Sequence, residues 1–139
     1  MPNTDIVARM YELFAKGDME TIKSEVFHPD ISWTMPGHHP LSGTMSGADQ
    51  VVAFFGALFQ AGITVDNAHF GELDDGTVIE RHMGHGEYDG KKYLFPTCTS
   101  YEVVDGKLHT VQVHSARPQD VEQFFWGKFT LKGVPDRLA

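Results

Sequence analysis

The sequence predicts an α+β domain with helices packed on one face of a bent antiparallel sheet. Three observations carry that reading. Helical spacing of apolar residues is confined to the first part of the chain. From residue 63 onward the pattern alternates instead, as strands do. Two Asp-Gly pairs, Asp89–Gly90 and Asp105–Gly106, and the "DDG" at 74–76 punctuate that half, and Asp-Gly between alternating runs is a strong hairpin signal. Helices first and a meander after is the pattern of an α+β fold.

The elements follow in order. "TDIVARMYELFAKGD" places Ile6, Met10, Leu13 and Phe14 on one helical face, with Thr4 as its cap and Gly17 as its end. "DMETIKSEVF" reads as a short helix capped by Asp18. "DISWTMP" alternates through Ile31, Trp33 and Met35 and reads as a strand. "PGHHPLSGTMSG" is rich in Gly, Pro and Ser and reads as a loop. "ADQVVAFFGALFQAG" is an apolar helix that starts after Ser46 or Gly47 and stops at Gly62. Four strands follow: "ITVDNAHFGEL", "TVIERHMGHGEY", "YLFPTCTSYEVV" and "KLHTVQVHSAR". The tail "PQDVEQFFWGKF" holds a final helical turn that packs its aromatics.

Composition narrows the function classes. With 139 residues, 41% hydrophobic, ten Phe and two Trp, the chain suits one domain over 1–139. A net charge of −8 argues against nucleic-acid or anionic-membrane partners. The longest apolar run, Val51 to Phe55, is too short to span a bilayer, and no signal-peptide pattern opens the sequence. The single Cys98 requires no oxidising compartment. The expectation is a cytoplasmic protein.

Strand side chains alternate between faces, so parity assigns candidates. On residues 77–87 Ile79 and Met83 suggest that the odd face points inward, which carries Arg81 and His85 with it. The next strand also reads odd-inward, with Phe95, Thr97, Thr99 and Tyr101. On the last strand Val111 and Val113 share the inner face, while Thr110, Gln112 and His114 share the polar one. His82 then falls outside, in solvent. An arginine on an apolar face needs an anion or several acceptors. Arg81 therefore either pairs with a carboxylate such as Asp30 or Glu80, or lines a ligand cavity with His85. His82 and His85 are three apart and take opposite faces, so they cannot jointly hold a metal.

The ordered set of Tyr11, Gly17–Asp18, Pro29–Asp30, Trp33, Pro36–Gly37, "PLSG", Phe54–Phe55 and "DGKL" resembles SnoaL-like proteins of the nuclear-transport-factor-2 superfamily. The resemblance implies a cone: a strongly curved antiparallel sheet wrapped over N-terminal helices, enclosing an apolar pocket. It also implies a homodimer through the open sheet face, where Thr110, Gln112 and His114 would meet a partner. "IERHMGHGEYDGKKYLFPTCTSYEVVDGKL" resembles limonene-epoxide-hydrolase relatives, whose mechanism sets an inward arginine between two aspartates. Arg81 takes the arginine position, but Met83 and Val113 stand at the aspartate positions and cannot activate water.

Cyclase and isomerase members place an acidic group on the last strand, and "HTVQVHSARP" has none. Proton transfer therefore falls to histidine, which titrates near neutrality. The candidates are His85, His38 and His39, with Arg81 holding a developing enolate. Trp33, Phe54, Phe55, Met83, Val111 and Val113 would wall the pocket; Thr97, Thr99 and Tyr101 would line its polar end. The expected function is a cofactor-free isomerisation, cyclisation or dehydration of a small apolar carbonyl compound, with no metal. The alternatives are a non-catalytic binder of a hydrophobic ligand, and a metal-assisted enzyme using His38, His39 and a sheet histidine.

Overall fold

The computed structural model describes residues 2–129; the expected 1–139 domain span runs beyond them. Helix α1 (Asn3–Lys16) buries Ile6, Val7, Met10, Leu13 and Phe14, and Gly17 closes it in the left-handed conformation at φ 71°. Its N-cap is Pro2, not Thr4, which lies inside the first turn. Asp18 accepts from the Thr21 N–H and caps α2 (Met19–Thr21). The short helix expected here then widens into a π-helical segment, Ile22–Val26, which buries Ile22 and Val26 before strand β1 (Phe27–Met35).

The segment 36–47, expected as loop, contains a short strand beyond the five expected, β2 (Gly43–Ser46), paired antiparallel to β1. Four residues with one buried side chain, Met45, are too few to show alternation. Helix α3 (Ala48–Gln60) follows Gly47 and buries Val51, Phe54 and Phe55. Strands β3 (Thr64–Glu72), β4 (Val78–Tyr88), β5 (Lys91–Val104) and β6 (Lys107–Ser115) form the meander. The tail is more than a turn: α4 (Pro118–Lys128) buries Val121, Phe124 and Phe125.

The sheet order is β2-β1-β6-β5-β4-β3. It is mixed rather than wholly antiparallel, because β1 runs parallel to β6. That pairing closes a long connection from the first strand to the last and seats α1 and α3 over the inner face. The main core joins α1, α3 and the inner residues of β1, β5 and β6. A second, smaller cluster, Tyr93, Phe95, Val121, Phe124 and Phe125, holds α4 to the sheet. Among the described residues no helix is long and apolar enough to cross a membrane.

Candidate functional site

A cavity of about 110 Å³ lies at the seam of the two clusters. Its wall is aromatic and aliphatic, drawn from α1 (Met10, Phe14), β1 (Trp33), α3 (Phe54, Phe55) and α4 (Phe125). The polar lining comes from Tyr11, His82, Thr97, Thr99 and Ser115. The strand register explains this cluster. Glu80 faces Thr99 and His82 faces Thr97 across β4 and β5, while Thr99 faces Val113 and Thr97 faces Ser115 across β5 and β6.

This register reverses the expected face of β4. Val78, Glu80, His82 and Gly84 point inward, and Arg81 is exposed on the outer face. The cause is the turn. Asp89 and Gly90 form a two-residue loop with φ of 53° and 77°, which pairs Tyr88 with Lys91. Odd residues of β5 therefore face even residues of β4, and Tyr101, Thr99 and Thr97 bring Val78, Glu80 and His82 inside. Odd-inward on both strands is incompatible with that turn.

Arg81 stands between His69 and Cys98 on neighbouring strands and makes no ion pair among the described residues, neither with Asp30 nor with Glu80. His85 is also outside. Its Nε2 lies 3.1 Å from Asp66 Oδ1 but out of line for a hydrogen bond. Met83 shares that outer face and does not line the cavity.

The loop histidines are structural. His39 is 2% exposed, stacks on Phe125 with ring centroids 4.8 Å apart, and accepts from the Leu41 N–H through Nδ1. Its Nε2 therefore donates to the Pro36 carbonyl, 3.2 Å away. Burial lowers the His39 pKa from its ordinary value, partly opposed by Glu122. His38 is exposed; its N–H binds Glu122 and its carbonyl accepts from Trp126 Nε1. Neither histidine lines the cavity. Among the described residues no three His, Cys, Asp or Glu side chains converge as metal ligands.

Of the expected pocket residues, Trp33, Phe54, Thr97, Thr99 and Val113 line the cavity. Tyr101 and Val111 are buried behind it, at 0% and 1% exposure. The Trp33 Nε1 has no hydrogen-bond partner and no open surface. Its ring stands edge-to-face with Phe55 (4.9 Å) and Tyr101 (5.9 Å), so its surroundings are aromatic faces.

The residues that parity missed form a connected set. Glu80 is 0% exposed. Its Oε1 accepts from Tyr11 Oη at 2.8 Å and its Oε2 accepts from His82 Nδ1 at 2.7 Å. Tyr11 has one proton, and Glu80 takes it, so the 2.9 Å contact with Tyr101 is a donation from Tyr101 to Tyr11. Burial raises both tyrosine pKa values well above the ordinary phenol value, reinforced by the Glu80 charge. Both hydroxyls thus remain neutral donors. A buried carboxylate is stable only with such donors around it. Since Nδ1–H is committed to Glu80, His82 presents Nε2 as its proton-exchanging atom. A carboxylate that fixes the tautomer of a cavity-lining imidazole is the arrangement of an oriented general base.

Such a cavity, walled by helices and one sheet face and carrying a single oriented imidazole, belongs to an α+β domain with a mixed six-stranded sheet. Residues 7–111 match the family model described as SnoaL-like domain. The chain belongs to that family. An uncharacterized protein of Mycobacterium tuberculosis (strain ATCC 25618 / H37Rv) is 29% identical over 124 residues, covering 87% of this chain and 94% of its own. Bal32a, from a soil-derived mobile gene cassette, superimposes with a TM-score of 0.83 at 28% identity, covering 89% of this chain and 96% of its own. SalBIII, an epoxide hydrolase/cyclase-like enzyme with a role in pyran ring formation in the polyether salinomycin, has the same fold. Its TM-score is 0.71 at 17% identity, over 82% of this chain and 90% of its own.

Proposed function

We propose that the protein is a cofactor-free acid–base enzyme acting on a small, mainly apolar carbonyl compound, by isomerisation, cyclisation or dehydration. The observation that carries this reading is the Glu80–His82 pair at the wall of an otherwise apolar cavity. His82 Nε2 removes a proton from the carbon beside the carbonyl. The C–H electron pair becomes the enolate double bond, and the charge moves to oxygen. The imidazolium, held by Glu80, returns the proton to another carbon or to a leaving hydroxyl. Thr99 lies on the same wall with its hydroxyl, while the protons of Tyr11 and Thr97 are spent on Glu80 and the Phe95 carbonyl. Membership of a SnoaL-like family and the ring-forming role of SalBIII support the reaction class.

The test is deuterium uptake at the α-carbon of one-ring aryl ketones in D₂O, followed by proton NMR, with phenylacetone as the first probe. The protein should accelerate exchange over buffer. His82→Ala should lose about 100-fold of that acceleration, the usual worth of a positioned base. Glu80→Gln should lose at least about ten-fold, because the tautomer is no longer fixed. Equal exchange in wild type and His82→Ala would end the proposal.

The second reading is a non-catalytic carrier of a hydrophobic ligand. It is favoured by the scarcity of ionisable side chains in the lining, which are Tyr11 and His82 among the described residues. Phenylacetone that binds without exchanging would select it. The reading also includes a cytoplasmic location and a homodimer through the outer sheet face, where Ile79, Met83 and Cys98 are half-buried. Light scattering should give twice the 15.5 kDa chain mass; a monomer at high concentration would remove the dimer.

A further inference from the structure

The sheet has a gap on one side of β6. Its parallel partner β1 pairs no further than Thr34 with Gln112, whereas β6 runs on to Ser115. The chain leaves β1 at Pro36–Gly37, and Pro118, Val121 and Glu122 of α4 line the opening with them. Gln112 Nε2 donates to the Val113 carbonyl at 2.9 Å, so a side chain serves the strand edge where no neighbouring strand continues. A second cavity of about 240 Å³ occupies this gap.

Val113, Ser115 and Val121 line both cavities. The two spaces therefore share lining at two valines and a serine. Their chemistry differs. The inner cavity is aromatic; the outer one adds Gln112, His114 and Glu122. No Lys or Arg lines either, and Glu122 brings a carboxylate, so an anionic ligand is disfavoured. Gln112, His114 and Ser115 offer donors and acceptors together, as a hydroxyl requires.

We propose that the two cavities are the two chambers of one binding site. The substrate's neutral apolar ring occupies the inner chamber beside His82, and a hydroxylated substituent passes Val113 and Val121 into the outer chamber. This rests on the acid–base reading of the inner chamber and extends it to a substrate class: amphipathic, uncharged, with its hydroxyls remote from the reacting carbonyl.

The experiment compares two probes by isothermal titration calorimetry: para-propoxyphenylacetone, and its glyceryl-ether counterpart in which the propyl chain carries two hydroxyls. The glyceryl ether should bind the wild-type protein about ten-fold more tightly, because a site built to hydrogen-bond a hydroxyl rejects the analogue that lacks it. In the Gln112→Ala, His114→Ala double variant the two affinities should converge. His114 is exposed and Gln112 is half-buried with its amide on the Val113 carbonyl. The double variant is therefore used only where its circular dichroism and thermal unfolding match the wild type. His114→Ala alone, which should narrow the preference, is the second variant. Equal affinities in the wild type, or a preference that survives the double variant, would overturn the two-chamber site. Phenylacetone exchange separates the failures. If exchange persists while the preference is absent, only the outer chamber falls. If wild-type protein exchanges nothing, the acid–base reading itself fails.

Discussion

Glu80 has no exposed surface, and His82 is the basic group that meets it. Stripped of its donors, a buried carboxylate costs several kcal/mol, so Tyr11, Tyr101 and His82 are held as a set. Tyr11→Phe removes a hydrogen bond to a charged acceptor and should cost about 2 kcal/mol in denaturant unfolding. Arg81→Ala and His85→Ala, by contrast, alter an outer face and should stay within about 0.5 kcal/mol and leave exchange at the cavity intact. His39 supplies a pH signature. Burial depresses its pKa, so the fold favours the neutral ring. That contribution is complete above the unfolded value of about 6.5 and is lost as pH falls through the folded value. Urea midpoints should therefore drop on acidification below about pH 6.5. His39→Asn, which retains an acceptor near Nδ1 but does not titrate, should flatten that slope. An unchanged slope would place the titrating group elsewhere.

At the scale of elements, α4 depends on two glycines. A Cβ on Gly86 would stand 2.8 Å from Phe124, and one on Gly127 would stand 2.5 Å from the Tyr88 ring. Gly86→Ala should push α4 off the sheet at about 1–3 kcal/mol, measured by thermal unfolding, and raise hydrogen exchange in residues 118–128 more than in α1. Equal protection in both helices would mean that the contact is not limiting. The four strands of the meander were legible because Asp-Gly turns and alternation mark them, and their limits fell within a few residues, whereas β2 lay in a segment expected as loop. The faces were less legible. Ile79 and Met83 are apolar yet lie on an outer face, half-buried, so hydrophobicity alone misassigned β4. The correcting signal was in the sequence: a two-residue turn forces opposite parity on β4 and β5. The same rule would have failed on β5 and β6, because His109 is an extra residue between Thr110, paired with Glu102, and Leu108, paired with Val103. That bulge restores equal parity and keeps Val111 and Val113 inside, as expected. Pocket residues from β1, α3 and β5 were readable from the sequence. The Glu80–His82 pair was not, because it needed register rather than pattern.

For the whole molecule, the cavity survives because neither cluster closes over it. The main core fills the space under α1 and α3, the second cluster fills the space under α4, and the seam between them remains open. Tyr11 spans that arrangement, reaching from α1 to Glu80 on β4 and Tyr101 on β5. A polar tie across an apolar interior is strong only while both phenols are protonated. Burial first raises their pKa values well above the ordinary phenol value, followed at Tyr11 by Tyr101 and the Glu80 carboxylate and at Tyr101 by the Glu80 carboxylate. The unfolded chain ionises its tyrosines near pH 10, so the fold's preference for the neutral form is fully present below that value and is lost as pH rises further. Alkaline titration should therefore show tyrosinate absorbance from these two residues only together with the loss of the far-ultraviolet circular dichroism signal. In Tyr101→Phe the late component should halve and unfolding should shift to lower pH, since Tyr11 loses its donor. If all tyrosinate absorbance instead develops while the circular dichroism signal is intact, Tyr11 and Tyr101 are open to solvent, and Glu80 and His82 are not the enclosed pair on which the site depends.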